Sequence, residues 1–256
     1  MTVLGANFLG KLGRLGNQMF QLAALKGIAE NNGYQYCFPL TKDLYDGFNL
    51  STISPLNLQL IDENRCIIPE ETFHFNETLF NNCPDWGSLF GYFQSAKYFN
   101  HIKNEIRDDF SFKPEFLKPC VEFYDSLKYP ISLHIRRTDY LTDNNHTTLP
   151  LEYYENALEE FEKTRPVLIF SDDIEWCKKQ EIFKDDRFQF SESDNQYIDL
   201  CLMSLCSSHI IANSSFSWWG SYLANSQETI APKIWFGPGN QHLETKDLYL
   251  EHWKVI

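Results

Sequence analysis

Residues 129–140 read YPISLHIRRTDY, and this stretch decides the fold. Its first half is a short apolar, β-branched run ending at Ile135, the pattern of a buried strand. Its second half turns polar at once, with Arg136, Arg137 and Asp139 beyond the strand and His134 just inside it. The same grammar recurs downstream. PVLIFS (166–171) runs into Asp172 and Asp173, SHIIAN (208–213) runs into Ser214, Ser215 and Phe216, and FQFS (188–191) and ETIAP (228–232) read as further strands. Helical patterns separate them: LEYYENALEEFEK from 151, DIEWCKKQEIF from 173, NQYIDLCLMSLC from 195 and SFSWWGSYLAN from 215. Strands alternating with helices specify a parallel sheet covered on both faces. Ligands of such sheets sit outside the carboxyl ends of the strands. The three richest polar clusters, His134 to Tyr140, Ser171 to Asp173 and Asn213 to Trp219, all fall there.

The N-terminal part opens the same way. Residues 2–8 alternate as a strand, GKLGRLGNQ spaces Gly10, Gly13 and Gly16 three apart, and MFQLAALKGIAENN supplies the apolar face of a helix. Gly33 ends that helix, and YQYCFPL (34–40) reads as a short buried strand. Residues 41–128 show little periodicity, so loops, short strands and a helix around 98–109 are expected. The domain boundary is expected near 125–128, giving an N-terminal domain of 1–127 and a C-terminal one of 128–256. A chain of 256 residues accommodates both.

The net charge of −13 argues against nucleic acid, because an acidic surface repels phosphate backbones. Aromatics make up 16% of the chain, which fits either large cores or clefts that stack pyranose rings. The seven dispersed cysteines form no C-x-x-C pair, an odd set that suggests a reducing compartment. The start lacks a basic segment followed by a long apolar core, and no 18-residue apolar stretch exists. A cytoplasmic location is therefore expected, with peripheral membrane association left open.

Each cluster has a plain and a chemical reading. Arg136 and Arg137 are either a surface ion-pair network or a grip on phosphate, one facing the ligand and the other bracing the loop against a carboxylate such as Asp139. Asp172 and Asp173 are either the acidic start of a helix, capped by Ser171 or Asp172, or acceptors for a guanine edge or a metal; the spacing is not D-x-D. Ser214, Ser215 and Phe216 either cap a helix with a core Trp pair or present N–H and hydroxyl groups to a diphosphate. GRLGNQ (13–18) is neither G-x-G-x-x-G nor a P-loop, though its glycines allow close backbone approach.

Taken together, GRLGNQMFQ (13–21), GYFQSAKYF (91–99), HIRRTDY (134–140), FSDDIEW (170–176) and DLCLMSLCSSHIIANSSFSWWGSYLA (199–224) resemble the alpha-1,2-fucosyltransferase family. Ser215 stands where the family more often has Thr, and the hydroxyl is kept. The resemblance implies an α/β fold of two facing Rossmann-like domains, the GT-B glycosyltransferase architecture, with acceptor handling in the first and GDP-fucose in the second. It implies no metal requirement and inversion at the fucose anomeric carbon. The donor would be GDP-fucose and the acceptor a galactose-terminated glycan. By motif, Arg136 grips the pyrophosphate and Arg137 braces or assists. His134 and Asp173, with Asp172 beside them, meet guanine. Asn213, Ser214, Ser215 and Phe216 hold the β-phosphate region, and Gly16 and Asn17 approach the reacting centre. Asp139 is the candidate base, with a structural partner for Arg137 as the alternative.

Overall fold

The computed structural model describes residues 2–50 and 66–256. The chain forms two compact units, Met1–Lys113 with Leu243–Leu250, and Pro114–His242 with Glu251–Ile256.

In the first unit the elements run β1 (Val3–Gly5), α1 (Leu15–Asn31), β2 (Gln35–Cys37), α2 (Lys42–Gly47), β3 (Cys66–Pro69), α3 (Glu77–Asn81), β4 (Gly87–Phe90) and α4 (Lys103–Asp109). The described strands form one parallel sheet in the order β2-β1-β4-β3. Helix α1 begins at Leu15, earlier than the apolar pattern indicates, and is buried on all sides rather than along one face: fourteen of its seventeen residues are buried. A helix buried all round belongs in a core. Even Lys26 is buried, paired with the buried Asp109 of α4. Gly27 lets the chain at Tyr98 and Phe99 press directly on α1, where a Cβ would lie 1.9 Å from the Tyr98 carbonyl oxygen.

The second unit contains α5 (Pro114–Ser126), β5 (Ile131–Ile135), α6 (Leu151–Leu158), β6 (Val167–Ser171), α7 (Ile174–Cys177), β7 (Phe188–Phe190), α8 (Gln196–Leu205), β8 (Ser208–Ile210), α9 (Ser215–Leu223), β9 (Glu228–Ala231) and β10 (Lys254–Val255). All its strand pairs are parallel, in the order β10-β9-β8-β5-β6-β7. Counted from β5 this is the doubly wound order 3-2-1-4-5-6, whose direction reverses between β5 and β8. Strands β5 and β6 are fully apolar at Ile131, Leu133, Ile135, Val167 and Ile169, and Tyr154 and Ala157 of α6 pack over them. Trp218 and Trp219 of α9 are both fully buried. Each such side chain contributes roughly 1.5–3 kcal/mol on burial.

Three expectations shift. Helix α5 lies where no helix was legible, because Pro119 sits inside it; its Cys120 thiol reaches the Ile198 carbonyl of α8 at 3.6 Å. Since α5 packs on α8, the units divide ahead of this helix rather than near 127, and residues 243–250 belong with the first unit. The pattern read as one helix from 173 breaks at Gln180, whose backbone is extended, leaving α7 and a 3-10 turn at Glu181–Phe183.

Among the described residues no helix is long and apolar enough to cross a membrane. The exposed Leu117, Val121 and Phe123 of α5 are interleaved with Glu115, Glu122 and Asp125, so this helix presents no continuous apolar face.

Candidate active site

The sheet reversal in the second unit places the end of β5 beside the end of β8. His134 is the last but one residue of β5, and its Nδ1 lies 2.8 Å from Ser217 Oγ in the first turn of α9. Burial, and then the charge of Arg136, push the His134 imidazole down to about 3, so it is neutral at ordinary pH. Ser214 caps α9, its hydroxyl accepting from Phe216 N at 3.3 Å. Ser214, Ser215 and Phe216 are half-buried, so the positive end of the α9 dipole opens at the reversal.

The two arginines diverge. Arg136 Nη2 is 2.7 Å from the Asp139 carboxylate and its Nη1 is 3.2 Å from Asp172. Arg137 bonds Asp173 through Nε at 3.2 Å, and its guanidinium lies 3.8 Å from the centre of the Trp176 ring. Asp139 is thus the partner of Arg136, not of Arg137. Asp172 ties the loop down: it accepts from Arg137 N at 2.9 Å, from Thr138 N at 3.1 Å and from the Thr138 hydroxyl. Asp173, rather than Ser171 or Asp172, caps α7, accepting from Trp176 N at 3.2 Å.

Several of the residues expected at the site already have partners within the chain. His134 is buried with its Nδ1 against Ser217, and Asp173 accepts from Arg137 and from Trp176 N. Asn213 is buried, and its amide donates to the Thr147 and Trp235 carbonyls at 2.9 and 3.0 Å. It braces two loops through this amide. Gly16 is buried within the first turn of α1.

Sequence reading overlooked Asp199. It sits in the first turn of α8, accepts the Ser191 hydroxyl at 2.5 Å, and is pushed up to about 6 by burial. Beside Ser191 and α8 lies a groove of about 360 Å3, lined by Cys120, Phe123, Phe190, Ser193, Ile198 and Leu202. The signal was present: Asp199 is the one acid in an otherwise apolar helix pattern.

The first unit has a reversal of its own, between β1 and β4. There Gln94 Nε2 donates to Asn17 Oδ1 at 2.8 Å. Gly13, with φ of +74°, lies against the other side of the Asn17 amide; a Cβ there would be 2.2 Å from Nδ2. Glu70, beyond β3, accepts from Tyr92 N and Phe93 N at 2.7 and 2.8 Å, which fixes the turn that presents Gln94. Phe93 is a buried non-glycine residue at φ of +54°. Such strain persists only where surrounding bonds impose it.

Two Rossmann-like units with parallel sheets make this an α/β protein of the GT-B glycosyltransferase architecture. Among solved structures, the fucosyltransferase NodZ from Bradyrhizobium matches with a TM-score of 0.57 at 11% identity, over 86% of this chain and 92% of that one. POFUT1 in complex with GDP matches with a TM-score of 0.54 at 12% identity, over 91% and 99%. The sequence model of "Glycosyl transferase family 11" matches residues 5–256, and the chain belongs to that family, the alpha-1,2-fucosyltransferase family. An alpha-1,2-colitosyltransferase of Escherichia coli is 32% identical over 95% of this chain and 96% of its own length. The O-antigen biosynthesis glycosyltransferase WbnK of Escherichia coli is 31% identical over 72% and 67%. The galactoside 2-alpha-L-fucosyltransferase SEC1 of Bos taurus is 25% identical over 83% and 62%.

Proposed function

We propose that this glycosyltransferase moves L-fucose from GDP-fucose to the 2-hydroxyl of a terminal galactose, inverting the anomeric carbon to give an alpha-1,2 linkage. The observation that carries this reading is that β5, which runs into Arg136, and the start of α9 come together at the β5/β8 reversal, where His134 and Ser217 join the two elements at 2.8 Å. A diphosphate there meets a guanidinium fork, two hydroxyls and a helix N-terminus. These groups stabilise the charge that develops on the leaving β-phosphate, the task a divalent cation performs in other transferases.

In this reading the diphosphate takes the place of Asp139 on Arg136. Of the two carboxylates on that guanidinium, Asp139 is 43% exposed and Asp172 is 18% exposed, so Asp139 is the one that yields. Arg137 and Asp172 hold the loop in shape. Asp199, whose Oδ2 accepts no hydrogen bond from the described residues, is a second carboxylate, beside Asp173, suited to the paired N–H donors of guanine. Asn17, set by Gln94 and Gly13, serves the acceptor side. A colitosyl donor is the second reading, favoured by the relative of 32% identity that spans nearly the whole chain.

The test is a panel of β-galactosides with GDP-fucose and GDP-colitose, with and without EDTA, the product linkage being read by NMR. An alpha-1,2-fucoside formed equally well in EDTA is expected. Loss of activity in EDTA with recovery on adding a divalent metal defeats the metal-free reading, and transfer from GDP-colitose alone defeats the donor.

A further inference from the structure

A glycosyl transfer to a hydroxyl needs a proton acceptor, and Asp139, which the sequence nominates, is placed by Arg136, the partner that the diphosphate takes over once the donor is bound. Each oxygen of Glu70 accepts a backbone N–H. We propose that His146, oriented by Asp143, is the catalytic base that takes the proton of the acceptor hydroxyl. This inference rests on the GDP-sugar transferase reading above.

His146 lies on the loop that follows β5, the strand that also delivers Arg136. Its Nδ1 is 2.6 Å from Asp143 Oδ2. Asp143 holds the Nδ1 proton, which leaves Nε2 as the nitrogen with the lone pair. The described residues offer Nε2 no hydrogen bond, and the side chain is 33% exposed. A carboxylate-oriented imidazole with an open Nε2 is the arrangement a general base requires.

The dyad is also held still and held close. Its ring stacks on Tyr140, with centroids 4.6 Å apart and planes 16° apart, and Arg136 lies 5.5 Å from the centre of that same Tyr140 ring. Imidazole and guanidinium are therefore separated by no more than those two distances end to end. In inverting glycosidases the two catalytic carboxyl groups lie about 6.5–9.5 Å apart across the anomeric carbon, a separation that this bound allows. The loop is pinned by Asn213 Nδ2 to the Thr147 carbonyl at 2.9 Å, and by Gly237 N and Gly239 N to the Asn145 and Asn144 carbonyls at 2.9 and 2.8 Å. Gly237 and Gly239 are glycines for this contact, since a Cβ at either would lie within 3.0 Å of the 144–146 segment. Tyr140 adds a hydrogen bond to the Asn213 carbonyl at 3.2 Å. A surface His–Asp pair needs none of this anchoring; a preorganised base does.

The step balances. His146 Nε2 takes the hydroxyl proton while the hydroxyl oxygen forms its bond to the anomeric carbon. The bond from that carbon to the β-phosphate oxygen breaks, its electron pair leaving on GDP. The imidazolium then returns the proton to solvent.

The experiment compares the wild-type chain with His146→Gln, Asp143→Asn and His146→Gly, measuring turnover with GDP-fucose and a β-galactoside and GDP affinity by calorimetry. His146→Gln is expected to lower kcat by on the order of a hundredfold or more, and Asp143→Asn to lower it less, both with GDP affinity retained. Added imidazole is expected to restore part of the turnover of His146→Gly. Wild-type turnover in His146→Gln, or no response of His146→Gly to imidazole while it still binds GDP, overturns the assignment alone. A wild type that binds no GDP removes the transferase reading and this inference with it.

Discussion

His134 Nδ1 and Ser217 Oγ, 2.8 Å apart and both buried, join the end of β5 to the first turn of α9 across the sheet reversal. The bond fixes the distance between the arginine loop and the helix start. It also makes the protein's stability sensitive to acid, because His134 must stay neutral to remain where it is.

The sign follows from proton binding. The folded His134 is held at about 3, against 6.5 for a free imidazole, so the unfolded chain takes up a proton that the native state refuses. Stability is lost as pH falls from about 6 toward 3, by up to about 1.4 kcal/mol per pH unit. His209, lowered to about 4 by burial, acts in the same direction. Asp199, raised to about 6, and Glu70, raised to about 7, act oppositely: their contribution is present at low pH and lost as pH rises through those values. A difference isolates His134. Urea unfolding of wild type and His134→Gln between pH 7 and 4.5 is expected to show the wild-type advantage shrinking on acidification; a constant gap contradicts a buried neutral imidazole.

Arg136→Ala is expected to reduce turnover by on the order of a hundredfold or more, the scale of losing one preorganised donor to a developing oxyanion. Asp139→Asn should do the reverse for binding. It removes the carboxylate that competes with the diphosphate, and an exposed pair of this kind is worth about 0.2–1 kcal/mol. GDP should bind severalfold tighter, more so at low salt. Calorimetry at two ionic strengths decides it, and weaker binding in Asp139→Asn refutes the exchange.

Gln94→Leu removes the donor that sets the Asn17 amide. One such hydrogen bond is worth about 0.5–1.5 kcal/mol, so a fewfold to roughly tenfold rise in acceptor KM is expected. GDP affinity, measured on the same protein, should not move. Equal losses in both would mean that the fold is disturbed instead.

Gly27→Ala sets a methyl group against the Tyr98 carbonyl, where backbone is the neighbour and no side chain can yield. A loss of about 1–3 kcal/mol or more is expected, read as a lower thermal midpoint with the secondary structure retained below it. An unchanged midpoint would show that the chain at Tyr98 relaxes freely.

By itself the sequence determined the second unit's alternation of strand and helix, and where its polar clusters fall, because apolar periodicity and turn chemistry act over a few residues. The strand at Ile131–Ile135 and the serine-capped start of α9 were legible in this local way. Helix α5 was not, since Pro119 opposes a helix locally and only packing on α8 overrides it. The all-round burial of α1 was equally hidden, because Lys26 reads as a surface residue until Asp109, distant in sequence, is folded against it. Tertiary structure alone decided which carboxylate holds which arginine, that the Asn213 amide ties two loops, that Asp199 meets Ser191, and that His146 has Asp143 as its orienting partner. A sequence fixes which charges are available, while their pairing depends on the order of strands in the sheet, set by contacts among residues far apart along the chain.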